Sequence, residues 1–442
     1  MDDKLNVVPG LAEWATPSPT TYVFTLRQGP KFSNGRPLTA DDVVGTFRRI
    51  LDPETGSGLA GWIGTDTRVE KVDDRTVRFT LAQPLRTFLP ALTGAAAAIL
   101  PIQEIESRQL DPTRAMMGTG PFMVESHQEN RRWELVPNPH TSEVPQAKRL
   151  IIEIITDTNA RIAALRDGSI DFSEFSEPDA KNLLAGVPGL TVDVQERTDF
   201  HILQLNTQGD NTPFKDARVR QAIAYGIDRD RIRNVALGGI GELTGAISAT
   251  FGEEAVPPTI TRDTDKAKRL LAEAGRSDLR FEIIYPSALA GNIAQVIQQS
   301  LAEIGVEVKT TSLEQGVWVQ RAWVDDPAKM DASVAYYAAY AGPTMAMVNW
   351  SPKLAAGFGK GFEPDDRKIT EAILAAWQAP AAQAAEAARA AALALEEQAS
   401  TIPLVTRPIT IAYRSDKIRA RIAERDGNID PMRYVADFTA VR

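Results

Sequence analysis

Residues 31–43 read KFSNGRPLTADDV and combine a turn signal with the start of a helix. Asn34-Gly35 is a dipeptide typical of a tight turn between extended segments. Thr39 followed by Asp42 resembles a capping box, in which each of the two side chains bonds the backbone N–H of the other residue. Apolar residues then recur from Val43 at spacings of four and three, the period of one helical face. The stretch therefore predicts a turn followed by a capped helix.

Strands flank this helix, because apolar and other residues alternate with a period of two on both sides of it. The alternating apolar residues are Tyr22, Phe24 and Leu26 before the helix, and Val77, Phe79 and Leu81 after it. From Arg149 onward, strand patterns alternate with helical ones, beginning with a strand over 150–155, a helix that Gly168 ends and a further strand. A long helix is predicted over 216–236. The chain is therefore expected to be mixed α/β.

Composition argues against several classes of protein. The formal net charge of −9 is spread along 442 residues, so no nucleic-acid partner is expected. The chain has no cysteine, and its three histidines are far apart with no metal-ligand spacing, so no metal site and no cofactor are expected. Glycine-rich stretches at 238–241 and 357–360 fit neither a dinucleotide fingerprint nor a P-loop and are interpreted as loops. Asp325-Asp326 and Asp365-Asp366 are interpreted as solvated turns.

Several segments together resemble the family 5 extracellular solute-binding proteins, which include the dipeptide, oligopeptide and nickel binders of bacterial ABC importers. They occur in the family's order along nearly the whole chain. The matching segments are VPGLAEW at 8–14, YVFTLRQG at 22–29, the stretch 31–43, GTGPF at 118–122, PFKDARVRQAIAYGIDR at 213–229, residues 267–275 and IPL at 402–404.

The resemblance implies a two-lobed α/β clamp of the type II periplasmic-binding-protein class, with the ligand enclosed between lobes that two crossover strands join. The crossovers are expected near Asn206 and near Ile402-Pro403. The implied domains are an extra small domain of the first lobe at 1–148, the main first-lobe domain at 149–206 and 400–442, and the second lobe at 207–399.

The implied function is that of the substrate-binding component of an ABC-type importer, with no catalysis. The protein is expected to be a monomer at the periplasmic or extracellular face of the membrane, to close around a small-molecule or peptide ligand, and to dock on permease subunits. The alternative within the family is a binder of a nickel chelate or another metal complex. A hydrolase or a ligand sensor that uses the same clamp is a more distant alternative.

Two departures from the family pattern are visible. Family members carry a signal peptide and a first strand before the segment that begins at Pro9, so we expect the start of this chain to be truncated. The family's peptide binders also have a motif Ala-Asp-Tyr-x-x-Pro-Thr, whose aspartate pairs with the α-ammonium of the ligand. Residues 338–344 match this motif but place Ala339 at the aspartate position. This favours a blocked, sugar-like or otherwise uncharged ligand, because a buried ammonium without a partner is costly.

Aromatic side chains around this motif are the candidate ligand contacts, since they offer large contact area and polar handles. Core packing is the alternative for each. Neighbours on an extended strand face opposite sides, so Tyr336 and Tyr337 are expected to differ. The candidate ligand-binding residues are Tyr336, Tyr337, Ala339, Tyr340, Trp318, Trp350, Phe200 and His201, with Trp323 as a further aromatic residue nearby.

Overall fold

The computed structural model describes residues 1–141, 143–176, 179–209, 211–287, 291–324, 330–340, 342–354, 363–427 and 432–441. The loop at 357–360 and the turn at Asp325-Asp326 lie outside these ranges, as does the side chain of Trp323.

The helix that residues 31–43 predict is present as Ala40–Leu51, and its capping box forms between Thr39 and Asp42. Gly35 has a φ of +88°, a conformation that favours glycine, so the predicted turn is confirmed. Arg36 lies between the turn and the helix and bonds Asp42 at 2.8 Å and Glu104 at 2.7 Å. Because both carboxylates are buried, these ion pairs fix the turn against the helix.

Four antiparallel strands pack beside this helix and form the N-terminal sheet. Their order across the sheet is Ala12–Ser18, Thr21–Leu26, Thr76–Thr80 and Arg68–Asp73. The sheet contributes Phe79 to a buried aromatic group, in which Phe47 of the helix packs edge-on against it at 4.9 Å. The predicted alternation of these strands is confirmed.

The centre of the molecule is a five-stranded sheet of mixed direction. Its order is Glu307–Leu313, Arg280–Pro286, Ala332–Tyr337, Phe200–Leu205 and Thr401–Thr406. The first three strands run parallel, whereas Phe200–Leu205 pairs antiparallel with both of its neighbours. We call this the central sheet.

Three further sheets lie in the described residues. The hinge sheet has the order Arg425–Asp426, Leu190–Arg197, Ile409–Arg414 and Phe172–Phe175. A three-stranded sheet contains Phe122–Gln128, Arg132–Pro137 and Leu150–Glu153, and a two-stranded sheet pairs Ile418–Arg419 with Thr439–Ala440.

In the described residues the α-helices are three to fifteen residues long. They are Ala40–Leu51, Leu59–Ile63, Phe88–Ala91, Ile102–Glu106, Thr158–Asp167, Asp179–Leu184, Ala217–Gly226, Arg229–Arg231, Thr264–Glu273, Gly291–Ala302, Gln315–Val319, Arg367–Gln378 and Ala384–Gln398.

One local prediction was wrong, and one predicted unit is divided between two sheets. The helix predicted over 216–236 is interrupted after Gly226, because Ile227 is extended and Asp228 caps a new helical segment through the backbone N–H of Arg231. The predicted strand–helix–strand unit that starts at residue 150 has all three elements. Its two strands, however, lie in different sheets, since Leu150–Glu153 pairs with Arg132–Pro137 and Phe172–Phe175 pairs in the hinge sheet.

The two connections between the hinge sheet and the central sheet lie at other residues than the expected crossovers. Phe200–Leu205 and Thr401–Thr406 were expected to belong to the first lobe, but both strands pair within the central sheet. The chain therefore changes sheet at Thr198-Asp199 and at Arg407-Pro408, before Asn206 and after Ile402-Pro403. Each crossover is displaced because hydrogen bonding, rather than the position of a motif, determines the sheet to which a strand belongs. The division into domains stays a prediction.

Two large apolar clusters lie on opposite faces of the central sheet. One contains Phe200 and Tyr337 and continues into the residues under the N-terminal sheet, including Phe79. The other contains Leu203 and Val334, with the helices of residues 217–302. A smaller cluster around Leu165 lies on the hinge sheet.

Candidate functional site

The two crossovers lie side by side. Thr198-Asp199 connects Leu190–Arg197 to Phe200–Leu205, and Arg407-Pro408 connects Thr401–Thr406 to Ile409–Arg414. The backbone N–H of Arg407 donates to the carbonyl of Asp199 at 3.0 Å, so the two connections are hydrogen-bonded to each other. Short paired connections between two sheets are a geometry that permits hinge motion of one body against the other.

Arg407 also makes side-chain contacts on both sides of this hinge. Its Nη1 donates to Oδ2 of Asp199 at 2.6 Å, and its Nη2 donates to Oγ of Ser176, which follows the last strand of the hinge sheet, at 3.0 Å. The guanidinium lies 4.5 Å from the ring centroid of Tyr336, on the central sheet. Burial opposes the charge of Arg407, but the charge and hydrogen bond of Asp199 outweigh it and raise the pKa of the guanidinium. Arg407 therefore stays cationic and links the two sheets.

A second buried arginine extends the charge cluster. Arg197 approaches Asp199 at 3.8 Å and Asp426 at 3.5 Å, and both aspartates are fully buried. The hinge thus holds two cations and two carboxylates that alternate in space, an arrangement that offsets the desolvation of each charge.

His201 and Tyr336 lie opposite each other on neighbouring strands of the central sheet. His201 is buried, and burial, followed by the charge of Arg407, lowers the pKa of its imidazole to about 3. It is therefore neutral at physiological pH and does not contribute a charge to a ligand site. Tyr336 remains partly exposed, which leaves its ring available for contact.

Tyr340 has a strained backbone and bridges several parts of the molecule. Its φ is +46°, a region that non-glycine residues rarely adopt. Its carbonyl accepts a hydrogen bond from Oγ1 of Thr198 at 2.9 Å, and its ring packs edge-on against Trp62 at 5.0 Å. Burial, and to a lesser extent the nearby Tyr336 and Asp199, raise the pKa of its phenol.

The remaining candidates are packed in the protein interior. Tyr337 packs edge-on against Trp350 at 4.9 Å and accepts a hydrogen bond from Nε2 of Gln204 at 2.7 Å. Nε1 of Trp318 donates to Ser333 at 3.0 Å. Five of the candidates are buried, namely Phe200, Tyr337, Ala339, Trp318 and Trp350. A ligand could contact these five side chains only if the packing around them opened. Tyr336 and Tyr337 face opposite sides of the sheet, as expected.

The structure therefore places Tyr336, Tyr340 and His201 at the hinge and the other five candidates in the core. Sequence reasoning missed Arg407 and Asp199, although an arginine directly after the IPL strand was a usable signal. It also missed Trp62, for which the sequence around residue 62 offers no signal. Whether the candidates bind a ligand stays a prediction.

Two cavities among the described residues lie away from the two crossovers. A cavity of about 240 Å³ lies under the N-terminal sheet and is lined mainly by apolar side chains, including Trp14, Phe24 and Phe47. A second, of about 110 Å³, is lined by residues between 61 and 85 together with Lys353, Leu354, Leu374 and Trp377. The part of the chain that the structure describes contains no cluster of histidine and carboxylate side chains suited to a metal ion. It also contains no helix with the length and apolar character that crossing a bilayer requires.

Comparison with known proteins gives concordant results. The model of the bacterial extracellular solute-binding proteins, family 5 middle, matches residues 6–357. The chain is 28% identical over 344 residues to a probable D,D-dipeptide-binding periplasmic protein of Escherichia coli, covering 76% of this chain and 63% of the relative. The chain thus spans less than two thirds of the length of this curated relative.

Solved structures match over nearly the full chain. A periplasmic binding protein of Helicobacter pylori in complex with the peptide STSA has a TM-score of 0.86 at 22% identity, covering 100% of this chain and 91% of that one. A Campylobacter jejuni protein in complex with Ni(L-His) has a TM-score of 0.83 at 22% identity, covering 98% and 90%. At this identity the likeness shows the fold, a two-lobed α/β binding-protein fold.

Proposed function

Because this chain belongs to the family 5 bacterial extracellular solute-binding proteins, we propose that it captures a small ligand between two hinged lobes for an ABC-type importer. The observation that carries the proposal is the pair of crossovers at Thr198-Asp199 and Arg407-Pro408, which are short and hydrogen-bonded to each other. A ligand that contacts both lobes would shift the hinge equilibrium toward the closed form. The closed form would then dock on permease subunits at the periplasmic face of the membrane.

Binding without chemical conversion is the mechanism that the family membership supports. The family consists of binding proteins. His201, the histidine nearest the crossovers in sequence, is neutral and buried, and the four charges at the hinge are engaged with one another. These groups are suited to joining the lobes and to orienting a polar ligand rather than to proton transfer.

The ligand proposed is peptide-like without a free α-ammonium, or uncharged and sugar-like. Ala339 occupies the position of the aspartate in the family's peptide binders, and its side chain is fully buried. The exposed parts of Tyr336 and Tyr340 would supply aromatic contact and hydroxyl groups for such a ligand. A nickel chelate is the second candidate, because the Campylobacter jejuni protein of the same fold is in complex with Ni(L-His).

Isothermal titration of the purified chain tests the proposal. The panel contains free-amine peptides, the same peptides N-acetylated, neutral sugars and Ni(L-His), each followed by mass spectrometry of the recovered ligand. One of the blocked or neutral ligands is expected to bind with 1:1 stoichiometry and to be recovered unchanged. Tight binding of Ni(L-His) alone would favour the second candidate. If a bound ligand is chemically converted and Arg407→Ala abolishes that conversion, a pure binding function is refuted.

A further inference from the structure

The cavity of about 240 Å³ under the N-terminal sheet is lined by residues that carry no charged side chain, and we call it the apolar cavity. Thr93 contributes a hydroxyl to the lining, but its Oγ1 already donates to the carbonyl of Pro90 at 2.7 Å. An ion or a strongly polar molecule would lose its hydration here without gaining a partner. The lining therefore favours an uncharged, apolar occupant.

Aromatic rings form much of the lining, and most of their contacts are edge to face. Phe79 meets Phe24 at 5.4 Å with an interplanar angle of 77°, and it meets Phe47 at 4.9 Å with an angle of 89°. Trp14 adds a fourth ring, which is tilted by 37° against Phe24 at 6.4 Å. Aromatic rings favour edge-to-face contacts because their faces are negative and their edges are positive. A further ring inside the cavity would continue this arrangement.

The apolar cavity extends from the surface of the protein into its core. Val8 and Gly10 are exposed, whereas Val77 and Phe79 are buried, and all four residues line the cavity. A small molecule can therefore enter beside residues 7–10 without separating the strands of the sheet. In another protein, an apolar cavity of about 150 Å³ is sufficient to bind benzene. The larger volume here has room for one or two fused rings.

We propose that the apolar cavity is a second ligand site, which binds a neutral aromatic molecule of one or two rings. This site goes beyond the proposed capture function, because residues 1–99 alone form its lining and none of the crossover residues takes part. Binding removes the apolar surface of the guest from water and adds dispersion contacts to the lining side chains. The site is expected to bind its ligand whether or not the hinge holds one.

Indole is the probe, and calorimetric titration of the full chain is the measurement. One molecule is expected to bind per chain, and the unfolding temperature should rise with the indole concentration because a ligand of the folded state stabilises it. Indole-3-acetate has the same rings but carries a carboxylate. It should bind at least about tenfold more weakly, because the lining offers no cationic side chain.

Ala12→Phe tests the position of the site. Ala12 and Trp14 are two residues apart on the strand Ala12–Ser18, so both side chains lie on the same face, and both line the cavity. The added ring should fill the cavity and lower the affinity for indole at least about tenfold. Ala15→Phe is the matched control, since Ala15 is exposed on the opposite face of the same strand and should leave the affinity unchanged. Ala97→Leu, a smaller filling substitution, should also lower the affinity and keeps the test valid if Ala12→Phe does not fold.

Three results would overturn the proposal. The first is no indole binding at millimolar concentration, or equal affinity in the parent, Ala12→Phe and Ala97→Leu. The second is a dimer that Ala12→Phe dissociates, which would assign the cavity to a second copy of the chain. The third is loss of indole binding when residues that precede Met1 are added, which would assign the cavity to those residues. None of these results bears on the ligand at the hinge, which the panel of peptides, sugars and Ni(L-His) decides.

Discussion

Arg407 and Asp199 are 208 residues apart in the sequence, yet their side chains form a buried ion pair of 2.6 Å between the two crossovers. Such a pair is costly to break because the remaining charge stays buried without a partner.

Asp199→Asn is therefore expected to destabilise the protein by about 3–5 kcal/mol. The measurement is the urea dependence of the free energy of unfolding. Arg367→Ala removes an exposed pair with Glu371 and serves as the control, with an expected effect of about 0.5 kcal/mol or less. Equal effects of the two substitutions on the free energy of unfolding would show that the buried Arg407–Asp199 pair stabilises the protein no more than an exposed ion pair does.

Because the carboxyl of Glu363 is buried, we expect the stability of the protein to depend on pH. This carboxyl is fully buried and accepts hydrogen bonds from Ser400 and Thr401. Burial raises its pKa to about 7, although the two hydroxyls and Arg220 act in the opposite direction. Since the folded pKa lies above the ordinary value, the folded state binds the proton more tightly. This contribution to stability is full below about pH 4.5 and is lost as the pH rises through 7.

Glu363→Gln should remove this dependence. The unfolding free energy of the variant minus that of the parent should therefore increase from pH 5 to pH 8. The expected growth is on the order of 3 kcal/mol. Thermal or urea unfolding at several pH values measures it. Glu273→Gln, at an exposed position, is the control for the loss of one carboxyl group. A flat profile for Glu363→Gln would contradict the burial of an ionisable carboxyl at residue 363.

Ala339→Asp tests the ligand class. A charge-assisted contact is worth roughly 1.5–3 kcal/mol, so a free-amine peptide that reaches residue 339 should bind about ten- to a hundredfold more tightly. Because Ala339 is fully buried, the new carboxylate should also lower the stability of the unliganded protein.

Calorimetry with matched free-amine and N-acetylated peptides measures the first effect, and thermal unfolding measures the second. Ala338→Asp, one residue away and only partly buried, is the control for added charge. If the unmodified protein already prefers free-amine peptides, another residue anchors the ammonium and the interpretation of Ala339 is wrong.

The strand Leu150–Glu153 predicts weak self-association at high concentration of a chain that is otherwise expected to be a monomer. It lies at the edge of the three-stranded sheet, and Ile151, Ile152 and Ile154 are 44%, 40% and 45% exposed. An exposed apolar edge strand favours pairing with another chain. Ile152→Lys should reduce concentration-dependent light scattering with little change in unfolding temperature. Leu393→Lys, on a helix and 42% exposed, should not reduce it. Equal scattering by the parent and by Ile152→Lys would exclude this edge as the source of association.

Local features were predictable from the sequence because they depend on residues close together along the chain. The Thr39–Asp42 capping box, the turn at Gly35 and the opposite orientation of Tyr336 and Tyr337 follow from spacing and from backbone geometry alone. The family resemblance, which rests on the order of such motifs, predicted the fold for the same reason.

The contacts at the hinge and at Trp62 are ones that no local pattern contains. Arg407 meets Asp199 across 208 residues and Trp62 reaches Met345 across 283, so only the tertiary structure brings them together. Sheet membership likewise depends on which strands pair, and this moved both crossovers from their expected positions. An aromatic residue near a motif has the same sequence signature whether it is exposed or buried. The sequence by itself therefore determined which side chains were candidates, and tertiary packing decided that Trp350 lies in the core while Tyr336 lies at the hinge.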